Sequence, residues 1–277
     1  MSSAGEEIEL QRRQLPQKRL RYSFDFSQYY HHWYNELLLG LLAPRPGCRG
    51  LDCGCGTGIL LPSLERSYGT VIGLDLSPDN LREARTVARR ASLVVGDIQR
   101  LPLAAQSFDQ VICRAVLYRL TDAPAAFRGL LDILRDGGDL VITEPISDSG
   151  ILRFVQVALR GWATRTHTST AWIRMAEAAG FHVVRWFNLG YVAWPLLGYP
   201  ELSHVMRYLP LRMPLARLLL RLDRLLALIP WIRRHSWHGV FHFRKRFAGG
   251  SCWDKRGTKT VRGDQGEVMQ APKRQEA

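Results

Sequence analysis

The chain has 277 residues, 46% of them hydrophobic, so it is long enough to bury the core of one large domain. Its formal net charge of +13 predicts an anionic partner, which could be a nucleic acid, a membrane surface or an acidic substrate. Five irregularly spaced cysteines exclude a disulfide framework. No stretch reads as a secretory signal or as a spanning helix of roughly 18 apolar residues, so we expect a cytoplasmic protein.

The central part of the chain alternates short apolar runs with helical stretches, which is typical of a parallel sheet flanked by helices. Ser77 and Pro78 predict the start of one helix, and Asp122 and Pro124 predict the start of another that ends at the Gly137–Gly138 pair. A capped helix, TSTAWIRMAEAAG, precedes a sixth predicted strand, FHVVRWF, and HGVFHFRKR alternates like a seventh. The first five predicted strands are RGLDC, TVIGLD, SLVVGD, DQVIC and DLVITE.

A glycine-rich loop, GLDCGCGTGIL, follows the first predicted strand. Glycines at 54, 56 and 58 let the backbone bend tightly or approach a ligand closely. The third glycine falls one residue early for a dinucleotide fingerprint, and the absence of a following Gly-Lys-Ser/Thr excludes a P-loop. Asp52, at the strand end, would repel phosphate and attract an ammonium or a sulfonium. The loop therefore predicts a cationic ligand.

The segment Asp52–Gly58 matches the D-x-G-x-G-x-G motif of the class I S-adenosylmethionine-dependent methyltransferases, and it resembles especially the ubiquinone-type and sterol-type small-molecule branch. Later stretches resemble further motifs of that family in the same order: VIGLDLSPDNL, VVGDIQRLPLAAQSFDQVIC, RAVLYRLTD and GGDLVITEP. The resemblance implies S-adenosylmethionine as cofactor. It also implies a Rossmann-like, doubly wound α/β fold whose seven-stranded sheet is mostly parallel, with an antiparallel seventh strand.

The same resemblance implies where the cofactor is held. Asp75 would bind both ribose hydroxyls, Asp97 would accept from the adenine amino group, and the backbone amide of Ile98 would face a ring nitrogen. The full set of predicted cofactor-binding residues is Asp52, Gly54, Cys55, Gly56, Asp75, Leu76, Asp97, Ile98 and Arg114. Two alternatives remain: a dehydrogenase, in which Asp75 holds an NAD ribose, and a doubly wound domain whose acids and glycines only shape turns.

No catalytic residue is assigned. The stretch after the fourth strand reads VLYRL, where the family often carries histidines, so a histidine base is missing there. Four residues that follow strand ends or lie in the insertion are candidate bases, each with a structural hydrogen bond as its alternative: Tyr118, Glu144, His167 and Tyr191. We expect no metal, because Cys53 and Cys55 lack a second Cys or His pair at a zinc spacing.

The sequence divides into five segments. Residues 1–21 form a basic arm, and residues 22–189 form a methyltransferase core whose first helix, in FDFSQYYHHWYNELL, resembles the helix that covers the cofactor in relatives. Residues 190–235 form a helical basic and apolar insertion between strands six and seven, and residues 236–247 hold the last strand. Residues 248–277 have almost no apolar residues, so we expect this tail to be disordered.

The insertion carries much of the charge. From Arg207 to Arg246, ten basic residues accompany one acid, Asp223. In PLARLLLRLDRLLALIP, the spacing of Arg217, Arg221 and Arg224 puts them on one helical face among leucines. This pattern predicts either an interfacial membrane helix or a cover over a hydrophobic substrate, with a plain cap helix and solvated arginines as the alternative.

These patterns together predict methyl transfer from S-adenosylmethionine to a hydrophobic small-molecule or lipid-like acceptor, at oxygen or carbon. An anionic membrane surface is a candidate partner, which would place the protein at the inner face of a membrane. Nucleic acid is disfavoured because CRAV stands where enzymes that methylate base amines carry Asn/Asp-Pro-Pro-aromatic. The alternatives are a nucleic-acid methyltransferase and a non-catalytic module that binds the cofactor or docks on a membrane.

Overall fold

The structure is a computed structural model that describes residues 4–149, 166–198 and 206–247. The strands are β1 (Arg49–Cys53), β2 (Thr70–Asp75), β3 (Ser92–Val95), β4 (Phe108–Arg114), β5 (Leu134–Pro145), β6 (Phe181–Leu189) and β7 (His238–Lys245). They form one seven-stranded sheet in the order β3-β2-β1-β4-β5-β7-β6. Strands β1 to β5 pair in parallel, and β7 is antiparallel to both β5 and β6. The predicted fold class is confirmed. The predicted tail, residues 248–277, lies outside the described residues.

Helices cover both faces of this sheet: α1 (Ala4–Ser23), α2 (Asp25–Leu42), α3 (Leu61–Ser67), α4 (Pro78–Val87), α5 (Ala123–Ile133), α6 (Ser169–Ala179) and α7 (Arg212–Leu226). The side chains of Ser77 and Asp122 accept hydrogen bonds from backbone amides three residues later, at 3.3 and 2.8 Å, and so begin α4 and α5 as predicted. Helix α5 ends earlier than predicted, because β5 starts directly at Leu134.

The core consists of an apolar layer on each face of the sheet. On one face, Phe127 and Trp172 from α5 and α6 pack against Phe243 of β7. On the other face, residues of α2, α3 and α4, such as Leu38 and Leu61, pack against the same strands. Fully burying such a side chain contributes about 1.5–3 kcal/mol relative to leaving it exposed. The two layers hold the strand ends, and therefore the site, in a fixed arrangement.

The described part of the predicted insertion packs against α2. Apolar residues of α7 and of the segment after β6 form a third buried cluster with Phe26 and Tyr30 of α2. Asp223 of α7 is 2% exposed, and its carboxylate accepts hydrogen bonds from the backbone amides of residues 191, 192 and 193 at 3.2, 2.7 and 3.1 Å. Asp223 therefore fixes the chain that leaves β6 beside α2. None of the helices in the described ranges is long and apolar enough to cross a membrane.

Candidate active site

A cavity of about 390 Å³ opens at the carboxyl ends of β1, β2 and β4. The strand order reverses between β1 and β4, and such a switch point leaves a crevice in open α/β sheets. The structure brings all nine predicted cofactor-binding residues together in the lining of this one cavity: Asp52, Gly54, Cys55, Gly56, Asp75, Leu76, Asp97, Ile98 and Arg114.

Two glycines of the loop after β1 have different physical roles. Gly54 has φ of +83°, and a Cβ added there would lie 2.4 Å from a methyl carbon of Val116, so close packing requires glycine. Gly56 has φ of +54°, and a Cβ added there would meet no atom within 4 Å. The open space at Gly56 lies on the cavity lining, so backbone and ligand can approach each other there.

Asp75 is the acid at the end of β2, and it is 8% exposed. Its carboxylate accepts hydrogen bonds from the backbone amides of Gly56 and Ser77 at 2.8 and 2.9 Å, and from the Asn80 side chain at 3.0 Å. A carboxylate has about four acceptor positions. The three bonds fix its orientation and leave capacity for a further donor, such as a ribose hydroxyl.

Asp52 is the acid at the end of β1, and it is 2% exposed. Burial raises the pKa of its carboxyl to about 7, with the charge of Arg114 lowering it and that of Asp75 raising it. Its Oδ2 atom has no hydrogen-bond partner among the described residues. A buried carboxylate in this state favours a cation as ligand. This orphaned oxygen fits the ammonium and sulfonium of S-adenosylmethionine.

Arg114, at the end of β4, is held by neutral groups of α2. Its guanidinium donates to Asn35 Oδ1 at 2.8 Å, lies 2.5 Å from His31 Nδ1, and stacks 4.6 Å from the centre of the Tyr34 ring. No ion pair joins Arg114 to an acid among the described residues. Helix α2 therefore positions the positive charge beside the cavity, where it lowers the pKa of the Asp52 carboxyl.

Asp97 and Ile98 follow β3 and line the same cavity. The Asp97 carboxylate accepts from the backbone amide of Gln99 at 2.9 Å, which holds the turn, and Ile98 is buried. A half-buried carboxylate beside an apolar side chain suits a base with an exocyclic amine. We call this part of the cavity, from Gly54 to Asp97, the cofactor end.

The other part of the cavity, which we call the acceptor end, was not predicted from the sequence. It is lined by residues from α2, β5, the segment after β6 and β7: His31, Tyr34, Thr143, Pro145, Trp194, Gly198 and His238. The hydroxyls of Tyr34 and Thr143 are buried and make no hydrogen bond of ordinary length with the described residues. Thr143 gave a weak signal, as a polar residue late in the apolar run DLVITE, whereas Tyr34 is one of many aromatics in its helix.

The four candidate bases lie in different places. Tyr118 alone among them lines the cavity, and its hydroxyl accepts from Arg119 at 3.1 Å. Glu144 is fully buried and accepts backbone amides of residues 116, 117 and 118 at 3.1, 2.9 and 3.3 Å; burial raises its pKa to about 8. His167 packs 4.8 Å from Trp172, and Tyr191 is held at its backbone by Asp223. Structural roles account for the last three.

Helix α1 lies over the mouth of the cofactor end. Glu7, Gln11 and Lys18 are on the cavity lining. Side chains of α1 reach the rest of the domain through polar contacts: Glu7 with Arg119 at 2.7 Å, Arg12 with Asp79 at 2.8 Å, Lys18 with Asn80 at 3.5 Å, and Arg19 with Glu83. The sequence predicts only a basic arm in this region, whereas the structure has a helix of 20 residues.

The thiols near the loop are buried rather than reactive. Burial raises the pKa of Cys55, which keeps the thiol protonated. Within the described ranges, no group of three or more His, Cys, Asp or Glu residues is arranged to hold a metal ion.

Comparison with known proteins identifies the family. Residues 51–142 match the methyltransferase domain family. The chain is 30% identical over 164 residues to a ubiquinone biosynthesis O-methyltransferase of Escherichia fergusonii, which covers 54% of this chain and 68% of that protein. It is 36% identical over 126 residues to an aklanonic acid methyltransferase of Streptomyces sp. (strain C5), covering 43% of this chain and 57% of that one.

A solved structure, the [4+2]-cyclase SpnF, superposes with a TM-score of 0.57 at 20% identity over 78% of this chain and 81% of that chain. At that identity the likeness shows the fold alone. The ubiquinone biosynthesis relative, 30% identical and matched over 68% of its length, shows the family: the chain belongs to the class I S-adenosylmethionine-dependent methyltransferases. It spans only 35–57% of the length of several relatives.

Proposed function

We propose that this chain transfers a methyl group from S-adenosylmethionine to a hydrophobic small-molecule or lipid-like acceptor, at oxygen or carbon. One observation carries the proposal: nine residues of the family motifs line one cavity, and one oxygen of the buried Asp52 carboxylate among them has no hydrogen-bond partner in the part of the chain that the structure describes. Two relatives support a small-molecule acceptor by their names, one an O-methyltransferase of ubiquinone biosynthesis and the other an aklanonic acid methyltransferase.

Each part of the cofactor has a matching group in the cofactor end of the cavity or directly beside it. Asp75 would hold the ribose, and Asp97 with the amide of Ile98 would hold the adenine. Asp52 would face the positive charge of the methionine part, and Arg114 would face its carboxylate. When bound, S-adenosylmethionine supplies a methyl group on a positively charged sulfur; the acceptor bonds to that carbon as the sulfur–carbon bond breaks and the positive charge disappears.

The contribution of the protein is chiefly alignment and exclusion of water. The acceptor end is lined by rings and an apolar side chain, such as Trp194 and Pro145, in the same cavity as Asp52 and Arg114. Positioning two reactants in this way can supply several kcal/mol of the barrier, on the order of 7–11 in favourable cases. A reaction that removes charge also benefits from a site that water does not fill.

Isothermal titration of the full chain with S-adenosylmethionine and with S-adenosylhomocysteine tests the cofactor assignment. We expect the wild type to bind both, and Asp75→Ala to weaken binding at least about tenfold, because a buried carboxylate partner is lost. Asp132→Ala is the matched control, since Asp132 is exposed on α5 away from the cavity. Absence of binding by the wild type, or equal affinity in both variants, would reject the proposal.

We also propose that the surface of α7 and its flanks contacts an anionic membrane. Large apolar side chains are exposed here: Tyr208, Leu209, Leu211, Leu218, Leu222, Leu225, Leu228 and Trp231. Leu211, Leu218, Leu222 and Leu225 have the spacing of one helical face. Residues 206–235 contain seven arginines and a single acid, the buried Asp223. An exposed apolar stripe with arginines beside it supports binding at an anionic interface.

Co-sedimentation with phosphatidylglycerol vesicles, compared with phosphatidylcholine vesicles, tests this contact. We expect retention by the anionic vesicles, and its loss when Leu218, Leu222 and Leu225 are all changed to serine. Val95→Ser is the matched control, because Val95 is 55% exposed on β3. If the wild type stays in solution with anionic vesicles, or if the triple variant is retained equally, the membrane proposal is wrong while the methyl-transfer proposal stands.

A further inference from the structure

We propose that Tyr34 and Thr143 bind an ionised oxygen of the acceptor beside Arg114, so that the acceptor is an acidic hydroxyl compound, a phenol or a carboxylic acid, methylated at that oxygen. The inference rests on the proposed function and narrows it in two respects. It selects oxygen over carbon, and it explains why the site needs no dedicated base.

The first support is that two buried hydroxyl groups, those of Tyr34 and Thr143, have no hydrogen-bond partner among the described residues. Tyr34 is 3% exposed and Thr143 is 1% exposed, and both line the acceptor end of the cavity. Neither hydroxyl oxygen has a hydrogen-bond partner among the described residues. Buried hydroxyls are nearly always paired, because an unpaired one costs free energy. Two such hydroxyls from different elements, α2 and β5, at one cavity indicate a ligand that pairs with both.

The second support is that the two hydroxyls can address one atom. The Thr143 hydroxyl lies close enough to Tyr34 to lower the pKa of the phenol. Their mutual contact lacks the geometry of an ordinary hydrogen bond, so each hydroxyl keeps its capacity to donate to another oxygen. A single acceptor oxygen that lies against both hydroxyls can therefore receive hydrogen bonds from both.

The third support is charge. Burial raises the pKa of Tyr34, so the phenol remains a protonated donor. Arg114 stacks 4.6 Å from the centre of the same ring and has only neutral described partners, Asn35 and His31. A guanidinium carries five N–H donors, so Arg114 can serve the carboxylate of the cofactor and an acceptor oxygen together. With the two hydroxyl donors, it favours an oxyanion over a neutral hydroxyl.

The other titratable groups that face this end do not reverse the preference. Asp52 of β1 carries the opposing charge, and a bound cofactor cation would offset it. His31 of α2 touches Arg114, and His238 of β7 packs 4.5 Å from Trp194. Glu144 of β5 points to the backbone amides of residues 116–118.

Deprotonation then precedes transfer. The acceptor releases its proton to bulk water on binding, and the oxygen arrives as an anion with its lone pair available. Tyr34, Thr143 and Arg114 stabilise that anion, which lowers the pKa of the bound hydroxyl. Because the proton leaves before the carbon–oxygen bond forms, no protein base has to accept it during the transfer.

A chromogenic probe tests the inference directly. The complex of the full chain with S-adenosylhomocysteine is titrated with 4-nitrophenol across a pH series, and the phenolate absorbance gives the pKa of the bound probe. We expect this pKa to fall by about one unit relative to free probe, a tenfold change in the ratio of phenolate to phenol. Tyr34→Phe and Thr143→Val should each return the pKa toward the free value.

Matched controls separate the site from general effects. Tyr29→Phe removes a hydroxyl from the same helix outside the cavity, and Thr86→Val removes one on α4. Both controls should leave the pKa of the bound probe unchanged. Thermal melting of each variant checks the fold, and Tyr34→Phe and Thr143→Val should melt no lower than wild type, because neither hydroxyl bonds to described residues.

The outcomes are distinct. Failure of S-adenosylhomocysteine to bind would overturn the proposed function itself. If it binds, but 4-nitrophenol does not bind, binds with its free pKa, or responds to both variants as it does to the controls, the inference is overturned alone. Displacement of the probe by benzoate would support a carboxylic acid acceptor, and retention of the probe against benzoate would support a phenol.

Discussion

The two ends of the cavity are built in different ways. The cofactor end, from Gly54 to Asp97, comes from one continuous stretch of strands and their following turns. The acceptor end combines Tyr34 of α2, Thr143 of β5 and residues after β6, which are far apart in sequence. The cofactor end is formed by residues close together in sequence, whereas the acceptor end is formed by residues that only the fold brings together.

This difference explains why the cofactor end can be predicted from the sequence and the acceptor end cannot. The turn after a strand has few solutions that admit a ligand, so glycines and acids recur at fixed spacings. A pocket assembled from separate elements has no such spacing, and its residues serve the fold in other proteins. The methyl donor can therefore be inferred from sequence, whereas the acceptor has to be inferred from buried groups that the fold leaves unpaired.

The largest expected effect sharpens the comparison within the cofactor end. Gly54→Ala should lower the free energy of unfolding by about 3 kcal/mol, because the new Cβ overlaps Val116 and the residue has positive φ. Gly56→Ala should lower the free energy of unfolding by about 1 kcal/mol, because of its positive φ alone. It should weaken cofactor binding more than Gly54→Ala does. Urea unfolding and titration calorimetry measure the two quantities. Equal stability losses would contradict the distinction between packing and ligand access.

The next effect separates the two ends. Asp223→Ala removes the acceptor of three buried backbone amides at residues 191–193, so we expect a loss of about 2–3 kcal/mol in the free energy of unfolding. Because those amides lead into the acceptor end, proteolysis after β6 should accelerate while the affinity for S-adenosylhomocysteine stays within about twofold. Asp132→Ala serves as control. A large loss of cofactor affinity would show that the ends are not independent.

The smallest effect concerns Asp52. Its raised pKa of about 7 means that the free protein must lose a proton before the carboxylate can face a cation. Affinity for S-adenosylmethionine should therefore fall about tenfold per pH unit below pH 7 and level off above about pH 8. Calorimetry from pH 5.5 to 8.5, chosen around that pKa to span about three units, measures the slope.

Asp52→Asn is the control for that slope, because it keeps the shape and abolishes the titration. In the absence of ligand, the contribution of Asp52 to folding stability changes with pH in the opposite direction to its contribution to affinity. A carboxyl whose pKa is raised on folding stabilises the protein at low pH, and that contribution is lost as pH rises through about 7. A pH-dependent affinity that persists in Asp52→Asn would assign the proton to another group.

The fold could be predicted almost completely from the sequence, because apolar runs ending in Asp52, Asp75 and Asp97 record parallel strands and their turns. The sequence does not indicate helix α1, because this segment is highly charged, contains Pro16 and has no fully buried residue among those whose burial is described. Thr143 lies within the predicted strand DLVITE, and nothing in the sequence indicates a role for it at the site. Its importance depends on α2 crossing the sheet, which no local pattern encodes.

The way α1 is attached has a kinetic consequence. Its links to Asp79, Glu83 and Arg119 are ion pairs, and two of them join side chains at the surface. Salt screens such pairs over a distance of about 8 Å at physiological ionic strength. Because α1 lies over the cavity mouth, S-adenosylhomocysteine should dissociate faster as ionic strength rises, while the sheet remains folded. Ionic strength would therefore act on the attachment of α1 and leave the buried apolar core unaffected.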